Sequence, residues 1–397
     1  MEEILLKDIC DLDNGYAFRS DDYVESSDTL NCRMSNIRPD GTFDILYSAK
    51  YLPDVFAEKY EDYLLYDGDL IIAMTDMAGD PKILGVPTVV DTKGYKLLLN
   101  QRVGKLRFIK PGVNADYLKL ALQSKRVREY LKKFAGGGVQ LNVSKKDILN
   151  APVRMRTEEE QNYIADLFRR VLEIKKQREH ELLCLDNLIK ARFVEMFGSN
   201  SSKVPLSDYC DVSGGYSFKS GDITTDGAIR ILQIGNVSLN DVNWDTTNYL
   251  PQGYDDTYSR FLLNEGDIVV ALTRPIIQSL GNVKACIVKA IDTPCLLNQR
   301  VGRITSKKDM NTDLKYIFGC LMTEDFTRYV ESCCIGCSQP NISTKDIENF
   351  MIPAATSNEQ KEFVRFSEQV DKSKTVVQKS LDDTKVLFDS LMQQYFG

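Results

Sequence analysis

The heptapeptide Leu98-Leu-Asn-Gln-Arg-Val-Gly104 recurs without a single change as Leu296-Leu-Asn-Gln-Arg-Val-Gly302, 198 residues further along the chain. The dipeptides Phe197-Gly198 and Phe396-Gly397 repeat at nearly the same interval. A period of this length is far above the roughly 20 to 50 residues of solenoid units. Each copy is long enough to form a whole domain, so the sequence predicts two similar domains in tandem.

Two further motifs recur in the same order. Leu6–Ser20 (LKDICDLDNGYAFRS) matches Leu206–Ser220 (LSDYCDVSGGYSFKS), and Gln140–Ile148 (QLNVSKKDI) matches Gln339–Ile347 (QPNISTKDI). A protein built from two similar domains is suited to a target that has two parts. This duplication is the main functional indication in the sequence.

Length and composition indicate a globular protein of two or three domains. Of the 397 residues, 43% are hydrophobic and 27% are charged, which is ordinary for soluble proteins. The N-terminus is acidic and lacks the apolar core of a signal peptide, and no run reaches the roughly 18 apolar residues of a membrane helix. We therefore expect a cytoplasmic protein without membrane contact.

The charge distribution argues against a protein that binds nucleic acid without help. Residues 1–156 carry a net charge of 0 and residues 199–356 a net charge of −4, within a total of −7. Non-specific nucleic-acid binders depend on neutralising phosphates. The charge is still compatible with a specificity module whose partner subunits supply the positive charge.

Short apolar runs bounded by Gly and Asp predict a mixed α/β fold for each copy. The dipeptides Gln101-Arg102 and Gln299-Arg300 fall inside apparent strands. The predicted elements are the strands Leu70–Met74, Val86–Val90, Val103–Ile109 and Ile268–Leu272, a helix over Ala115–Leu131, and a helical counterpart near Asp313–Glu331.

Each copy ends in a long run with helical spacing and no Pro or Gly before its last residue. Thr157 with Glu160, and Ser357 with Gln360, are predicted to form capping boxes at the helix starts. Forty helical residues span about 60 Å, more than one small domain can cover. The simplest arrangement packs the two helices on each other as a coiled coil, parallel or antiparallel; the alternative is two separate surface helices. The apolar stripes are Ile164, Phe168, Val171, Leu182, Leu185 and Ile189 in the first helix, and Phe363, Val370, Val377, Leu381, Phe388 and Leu391 in the second.

Signs of catalysis and metal binding are weak. His180 is the single histidine and lies in the first long helix, which makes a Ser–His or Cys–His nucleophile pair difficult to build. Cys334 and Cys337 form one CxxC, whereas structural zinc needs four ligands, and the first copy has no cysteine there. Residues 76–82 loosely resemble a nuclease cluster of acids and a lysine, but the second copy does not repeat it. We therefore predict no enzyme activity and no metal.

Several side chains have the chemistry to read DNA, because Arg pairs with guanine, Asn or Gln pairs with adenine, and hydroxyls hold phosphates. The loops at 75–82 and 273–279 differ most between the copies, as specificity loops do. Turn capping by the shared amides and a buried role for the Gln-Arg pairs remain open alternatives. The candidates are Arg19, Thr75, Lys82, Gln101, Arg102, Gln140 and Asn142 in the first copy, and Lys219, Thr273, Arg274, Gln278, Gln299, Arg300, Gln339 and Asn341 in the second.

In these motifs the sequence resembles the specificity subunits of Type I restriction-modification systems. The resemblance covers essentially the whole chain, from domain to long helix to domain to long helix. It implies target recognition domain 1 at residues 1–156, spacer helix 1 at 157–198, target recognition domain 2 at 199–356 and spacer helix 2 at 357–397. Each recognition domain would read one half of a split DNA sequence.

The same resemblance implies partners. The paired helices would fix the spacer length and dock two methyltransferase (M) subunits, and restriction (R) subunits would join through these. S-adenosylmethionine, Mg and ATP would belong to the partner subunits, with no cofactor in this chain. Because the two reading loops differ, the target is expected to be asymmetric. The competing hypothesis is a non-catalytic protein-interaction scaffold clamped by a coiled coil.

Overall fold

The computed structural model describes residues 2–78, 81–136, 138–200, 202–277, 281–307, 312–334 and 340–397. The chain divides into two compact units. Unit 1 contains Met1–Arg178 and Ser380–Gly397, and unit 2 contains Glu179–Lys379. Each unit therefore combines one copy of the repeated domain with segments of both long helices. Among the described residues, no helix is long and apolar enough to cross a membrane.

Unit 1 is a mixed α+β structure, as the sequence predicts. Its sheets have the strand orders β2-β10-β6-β8 and β4-β3-β9-β5, with the shorter pairs β1-β12 and β11-β7. Strands β3 and β9 pair in parallel. The strands are β1 (Glu2–Leu5), β2 (Cys10–Asn14), β3 (Thr29–Cys32), β4 (Tyr51–Leu52), β5 (Leu64–Leu65), β6 (Leu70–Ala73), β7 (Thr75–Met77), β8 (Pro87–Val89), β9 (Lys96–Leu99), β10 (Val103–Phe108), β11 (Gln140–Asn142) and β12 (Pro152–Met155).

Strand β6 explains why the run Leu70–Ala73 is apolar throughout. Successive side chains on a strand point to opposite faces. Leu70 and Ile72 enter a core shared with the helices, while Ile71 and Ala73 enter a second core facing β3 and β9. The strand is buried on both faces and so shows no polar alternation.

The helices of unit 1 correct one prediction. They are α1 (Val55–Lys59), α2 (Ala115–Gln123), α3 (Lys125–Phe134), α4 (Lys145–Leu149) and the first part of α5 (Glu158–Phe197). The single helix predicted for Ala115–Leu131 is interrupted at Ser124, which has extended ψ of 145° and accepts a hydrogen bond from the Val127 N–H. Serine competes with the helical backbone in this way, so it ends one helix and caps the next.

Unit 2 repeats this architecture with the sheet orders β14-β22-β17-β20 and β16-β15-β21 and the pairs β13-β23 and β18-β19. Strand β17 again divides its side chains, with Ile268 and Val270 in one core and Val269 in another. The strands are β13 (Lys203–Pro205), β14 (Cys210–Gly214), β15 (Ile229–Leu232), β16 (Asn248–Leu250), β17 (Ile268–Ala271), β18 (Ile276–Ile277), β19 (Asn282–Val283), β20 (Ala285–Ile287), β21 (Cys295–Leu297), β22 (Val301–Ser306) and β23 (Met351–Pro353); the helices are α6 (Tyr254–Thr257), α7 (Leu314–Leu321), α8 (Glu324–Cys333), α9 (Thr344–Asn349) and α10 (Ser357–Phe396).

The two long helices, α5 and α10, pack on each other within each unit. In unit 1, Phe168 near the start of α5 lies 5.2 Å from the Phe388 ring near the end of α10. In unit 2, Phe193 near the end of α5 lies 5.3 Å from the Phe363 ring near the start of α10. The start of one helix meets the end of the other in both units, so the pairing is antiparallel.

The helix starts confirm one capping box and correct the other. The Glu160 N–H donates to the Thr157 hydroxyl, and the Thr157 N–H donates to the Glu160 carboxylate, at 3.3 and 3.2 Å. At α10 the cap is Thr356 with Glu359, one residue before the predicted Ser357 and Gln360. Gln360 is 3% exposed and takes no part in the cap. Its side-chain oxygen accepts the Asp313 N–H, and its side-chain N–H donates to the Ala355 carbonyl. These two hydrogen bonds join the helix to its domain.

Half of the twelve stripe residues are buried and half are half-buried, so the expectation that they dock partner subunits stays a prediction. Ile164, Phe168, Val171, Phe363 and Val370 are at most 6% exposed. Leu381 is also buried, and Leu182, Leu185, Ile189, Val377, Phe388 and Leu391 are half-buried. Six of them join the two domain cores: Ile164, Phe168, Phe388 and Leu391 in unit 1, and Ile189 and Phe363 in unit 2. The exposed apolar side chains of the helices are Leu172, Ile174, Leu183, Leu188, Val194, Val376, Val386 and Leu387.

Candidate nucleic-acid interface

Three repeated motifs and Met74, which follows β6, meet in one hydrogen-bonded row in unit 1. The Tyr16 N–H donates to the Leu99 carbonyl at 2.9 Å, and the Gln101 N–H donates to the Tyr16 carbonyl at 3.0 Å. The row continues from the Met74 N–H to the Arg102 carbonyl and from the Val143 N–H to the Met74 carbonyl, both at 3.0 Å. We call this row motif edge 1. It joins segments that are up to 127 residues apart in the sequence.

Unit 2 has the same row, here called motif edge 2. The Tyr216 N–H donates to the Leu297 carbonyl at 2.9 Å, and the Gln299 N–H donates to the Tyr216 carbonyl at 3.0 Å. The Leu272 N–H then donates to the Arg300 carbonyl, and the Ile342 N–H to the Leu272 carbonyl, both at 2.9 Å. The repeated motifs are thus repeated in space as well as in sequence.

The first contact in each row requires glycine. A Cβ added at Gly15 would lie 2.3 Å from the Asn100 carbonyl oxygen, and one at Gly215 would lie 2.3 Å from the Asn298 carbonyl oxygen. No real side chain tolerates such an approach to backbone. The Gly-Tyr dipeptide shared by the two copies therefore allows two chain segments to touch.

The Asn-Gln-Arg motif forms a turn, which corrects its assignment to strands. Gln101-Arg102 and Gln299-Arg300 follow β9 and β21 and precede β10 and β22. The Asn100 side-chain oxygen accepts the Arg102 N–H at 3.2 Å, as asparagines commonly do in turns. The asparagine shapes the turn and leaves the next two side chains outside.

These turn side chains suit a polar ligand. Gln101, Gln299 and Arg300 are exposed, and Arg102 is half-buried. Within the described residues, no ion pair or side-chain hydrogen bond engages either arginine. An unpaired guanidinium at a rigid turn is available for phosphate or guanine.

Motif edge 1 continues into the pair β7 and β11, where Thr75 lies opposite Asn142 and Met77 opposite Gln140. The Thr75 hydroxyl donates to the Asn142 side-chain oxygen at 2.7 Å. Thr75 is 3% exposed and has no surface to offer to DNA, so it orients Asn142 instead. Asn142 is exposed and Gln140 is half-buried.

The acidic cluster at residues 76–82 has a structural use. Asp76 is 5% exposed, and its carboxylate accepts the N–H groups of Met77, Ile83 and Leu84. This closes the loop and leaves no free carboxylate at Asp76 for a nuclease site. Lys82 is exposed at the loop surface.

Motif edge 2 differs at this position. Thr273 bridges to Asn341, and Arg274 is exposed, with a left-handed φ of 47° and an N–H that donates to the Pro340 carbonyl at 2.8 Å. Bulky residues rarely adopt this conformation. Asn341 is exposed, as is its counterpart in unit 1. Gln278 and Gln339 lie outside the described residues.

Arg19 and Lys219 are exposed three residues after the Gly-Tyr contact. Beside each lies an aromatic cluster that the sequence reasoning missed. The Tyr16 ring is 4.5 Å from that of Tyr60, and the Tyr216 ring is 4.6 Å from that of Tyr258. A hydrogen bond between the two phenols raises the pKa of Tyr16 in unit 1 and of Tyr258 in unit 2. The signal was present, because aromatic residues recur at 56, 60 and 63 and at 254, 258 and 261.

The remaining chemical candidates do not assemble into a catalytic centre. The described residues contain no cluster of His, Cys, Asp or Glu suited to a metal ion, and Cys337 lies outside them. Cys184 Sγ is 3.4 Å from His180 Nε2, a pair not expected from the sequence. Both side chains are exposed on α5.

Comparison with known proteins places this geometry in a family. The sequence model of the Type I restriction modification DNA specificity domain matches residues 1–183 and again residues 199–383. The chain belongs to this family. It contains two copies of the DNA specificity domain, and the two matched regions each contain one motif edge.

Two specificity subunits that are similar in sequence to this chain support this assignment. The Type I restriction enzyme MjaVIII specificity subunit of Methanocaldococcus jannaschii is 28% identical over 347 residues, covering 82% of this chain and 78% of that protein. The Type I restriction enzyme EcoAI specificity subunit of Escherichia coli is 33% identical over 148 residues, covering 37% of this chain and 24% of that protein. The hypothesis of a specificity subunit is therefore favoured over that of an interaction scaffold.

A solved structure shares the fold of this chain. The S subunit of the Type I restriction-modification system from M. genitalium superposes with a TM-score of 0.52 at 13% identity, covering 100% of this chain and 96% of that chain. The prediction of two recognition domains, each followed by a long helix, is confirmed at the level of the fold.

Proposed function

We propose that this chain is the non-catalytic DNA-specificity subunit of a Type I restriction-modification complex. Motif edge 1 and motif edge 2 each read one half of a split duplex target. The observation that carries the proposal is the equal hydrogen-bonded row in the two units, which presents Gln, Arg and Asn side chains at equivalent places. Such side chains read base edges in the major groove.

The contact residues fall into two groups. Gln101, Arg102, Gln140 and Asn142, with Gln299, Arg300, Arg274 and Asn341 in unit 2, face the bases. Arg19, Lys82 and Lys219 hold phosphates, which position a protein without reading sequence. Gln278 and Gln339 are assigned to the same surface on sequence alone.

The long helices act as a spacer and a docking surface. We assign residues 1–156 and 199–356 to target recognition and residues 157–198 and 357–397 to the spacer. Half-sites on one face of DNA recur every ~34–36 Å, within the ~60 Å length of a 40-residue helix. Two methyltransferase subunits dock on the helices, on the half-buried stripe residues and on the exposed apolar side chains beside them, and restriction subunits join through these subunits. S-adenosylmethionine, Mg and ATP belong to those partners, and the complex acts in the cytoplasm.

The test is single-molecule sequencing of DNA from cells that express this chain with its neighbouring methyltransferase. Adenine methylation at a split, asymmetric motif, lost when this chain is deleted, would support the proposal. Exchange of residues 199–356 for another such domain should change one half of the motif only. If no motif appears and the two proteins fail to co-purify, the chain is an interaction scaffold instead.

The net charge of −7 gives a second test. The partner subunits supply much of the phosphate contact, so the isolated chain should bind duplex DNA weakly. Tight binding by the chain alone, with a steep dependence on salt, would contradict this division of labour.

A further inference from the structure

The pair β7·β11 in unit 1 has the dimensions of a DNA-reading element. Within the described residues the two strands pair with each other, and the Ala78 N–H extends the pair by donating to the Val139 carbonyl at 3.1 Å. A two-stranded ribbon fits the major groove of B-DNA. The ribbon continues motif edge 1 beyond the hydrogen bond between Met74 and Arg102.

The two faces of the ribbon are chemically distinct. Residues directly opposite on paired strands share a face, so Met77 and Gln140 lie together on the face that also holds Thr75 and Asn142. The other face carries Asp76, which is turned inward. Met77, on the first face, is 50% exposed. Val139, just before β11, is 78% exposed and lies on the face of Asp76, because side chains alternate along a strand.

This combination of side chains matches A·T base pairs. Asn and Gln amides pair bidentately with adenine N6 and N7, and apolar side chains contact the thymine methyl group on the same pair. On the same face, Gln140 and Asn142 supply the amides and Met77 supplies the apolar surface. A guanine-reading arginine is absent from the described part of the ribbon itself.

Lysines flank the ribbon. Lys132 and Lys133 end α3, close to Gly136, whose backbone pairs with that of Asn142 through hydrogen bonds of 3.1 and 2.9 Å. Lys146 lies in α4, four residues after Asn142. All three lysines are exposed, and none has an ion pair within the described residues. Three unpaired cations beside a reading ribbon complement the phosphates on either side of a groove.

In the described part of unit 2 the three lysines are not repeated as unpaired cations. The register that relates Gln140 to Gln339 places Glu331 and Ser332 at the positions of Lys132 and Lys133. The counterpart of Lys146 is Lys345, which pairs with Glu348 at 3.2 Å. The net charge of 0 for residues 1–156 against −4 for residues 199–356 follows the same trend. The exposed Arg274 stands where unit 1 has the inward Asp76.

We infer that the β7·β11 ribbon enters the major groove and reads A·T pairs, with Gln140 and Asn142 on adenines, Met77 on a thymine methyl group, and the three lysines on the flanking phosphates. This inference rests on the proposed function and assigns chemistry to one half-site. Unit 1 reads its half-site through amide side chains and a methyl contact, and its lysines contribute strongly to the affinity through phosphate contacts. Unit 2 reads through Arg274 with a weaker one.

The first experiment removes the thymine methyl group from the DNA. The probe is a synthetic duplex carrying the split motif recovered by sequencing, with deoxyuridine in place of thymidine in one half-site at a time; the half that survives exchange of residues 199–356 belongs to unit 1. The assembled complex with its methyltransferase subunits should bind about fourfold more weakly per methyl group lost under the ribbon. Deoxyuridine in the other half-site should have a smaller effect.

The variant Met77→Ala makes the test specific. It should bind the thymidine duplex more weakly but lose its sensitivity to deoxyuridine. Val55→Ala is the matched control, since Val55 is 67% exposed elsewhere in unit 1, and it should behave as the unchanged chain. A variant that keeps the full sensitivity would overturn the inference.

The second experiment measures the lysines. Replacing Lys132, Lys133 and Lys146 by Gln should reduce the slope of log binding constant against log salt by about 2.7, at 0.9 per phosphate contact. Lys345→Gln is the matched control in unit 2, and a smaller change is expected. An unchanged slope for the triple variant would remove the lysines from the interface.

The outcomes separate the inference from the proposed function. If no split motif is recovered, the proposed function fails. If a motif is recovered but deoxyuridine is neutral in both halves, the function stands and the ribbon assignment fails. If the ribbon variant instead loses co-purification with the methyltransferase, the ribbon is a protein contact and the inference is wrong.

Discussion

Gly215 offers the sharpest test of motif edge 2. In Gly215→Ala the new Cβ would lie 2.3 Å from the Asn298 carbonyl oxygen and 2.4 Å from that of Leu297, so the two segments must separate. Two hydrogen bonds of the row, at 2.9 and 3.0 Å, then lengthen. Their loss costs about 1 kcal/mol each, and the residual strain costs about 1–3 kcal/mol. The free energy of unfolding of unit 2 should fall by about 3–5 kcal/mol.

The chain provides a selective probe for this measurement. Trp244 is its single tryptophan and lies in unit 2, where its Nε1–H donates to Asp292 at 2.8 Å. Urea unfolding followed by tryptophan fluorescence therefore reports on unit 2. A loss of 3–5 kcal/mol also corresponds to a fall in Tm of roughly 10 °C for a unit of this size.

Two matched variants serve as controls. A Cβ at Gly214 would meet nothing within 4 Å, so Gly214→Ala should change stability by less than about 0.5 kcal/mol. Gly15→Ala imposes the same clash in unit 1 and should leave the Trp244 transition largely in place. If Gly215→Ala and Gly214→Ala unfold at the same urea concentration, the close approach is not a constraint and the reasoning is refuted.

Three further predictions concern other parts of the molecule. Gln360→Ala should lower the free energy of unfolding of unit 2 by about 2–3 kcal/mol, measured by Trp244 fluorescence, because two buried backbone groups lose their hydrogen-bond partner. A change below about 0.5 kcal/mol would contradict a stabilising role for these two hydrogen bonds. Arg274→Ala should relax the sequence specificity of only the half-site read by unit 2, with a loss of about 1–3 kcal/mol of discrimination at the base that Arg274 contacts. Relaxed specificity in both half-sites, measured by methylation sequencing, would contradict the assignment. Cys184 is exposed, whereas burial raises the pKa of Cys210 and Cys295 to about 12, so mass spectrometry after iodoacetamide at pH 8 should find Cys184 modified first, and early labelling of the other two would contradict their burial.

The duplicated domains and long helices were predictable because they depend on local pattern. The apolar run Leu70–Ala73 and the Thr157–Glu160 cap are readable from a few adjacent residues. The interruption at Ser124 and the shift of the second cap to Thr356 were not predicted. Both depend on which hydroxyl takes the backbone hydrogen bond, a choice between nearly equal neighbours.

The motif edges were harder to predict because they join distant segments. Nothing local shows that the Tyr16 backbone pairs with the Gln101 turn 85 residues later. The Asn-Gln-Arg turn contains neither Gly nor Pro, so it was assigned to a strand. The sequence predicts Thr75 as a DNA-contacting residue, whereas its hydroxyl donates to the Asn142 side chain. The sequence identified most of the motifs and could not say which side chain in each would face outward.

The composition of unit 1 has a consequence for synthesis of the protein. Phe396 is 2% exposed and lies 5.3 Å from the Tyr117 ring and 6.1 Å from the Phe168 ring. About 200 residues separate the two segments of unit 1, and a ribosome adds about 5–20 residues per second. Tyr117 and Phe168 therefore lack the aromatic side chain that covers them for roughly 10–40 seconds after their own synthesis. Unit 2 is contiguous, so the half that is translated first is the half that is completed last, and during that interval it depends on chaperones or on its own partial packing.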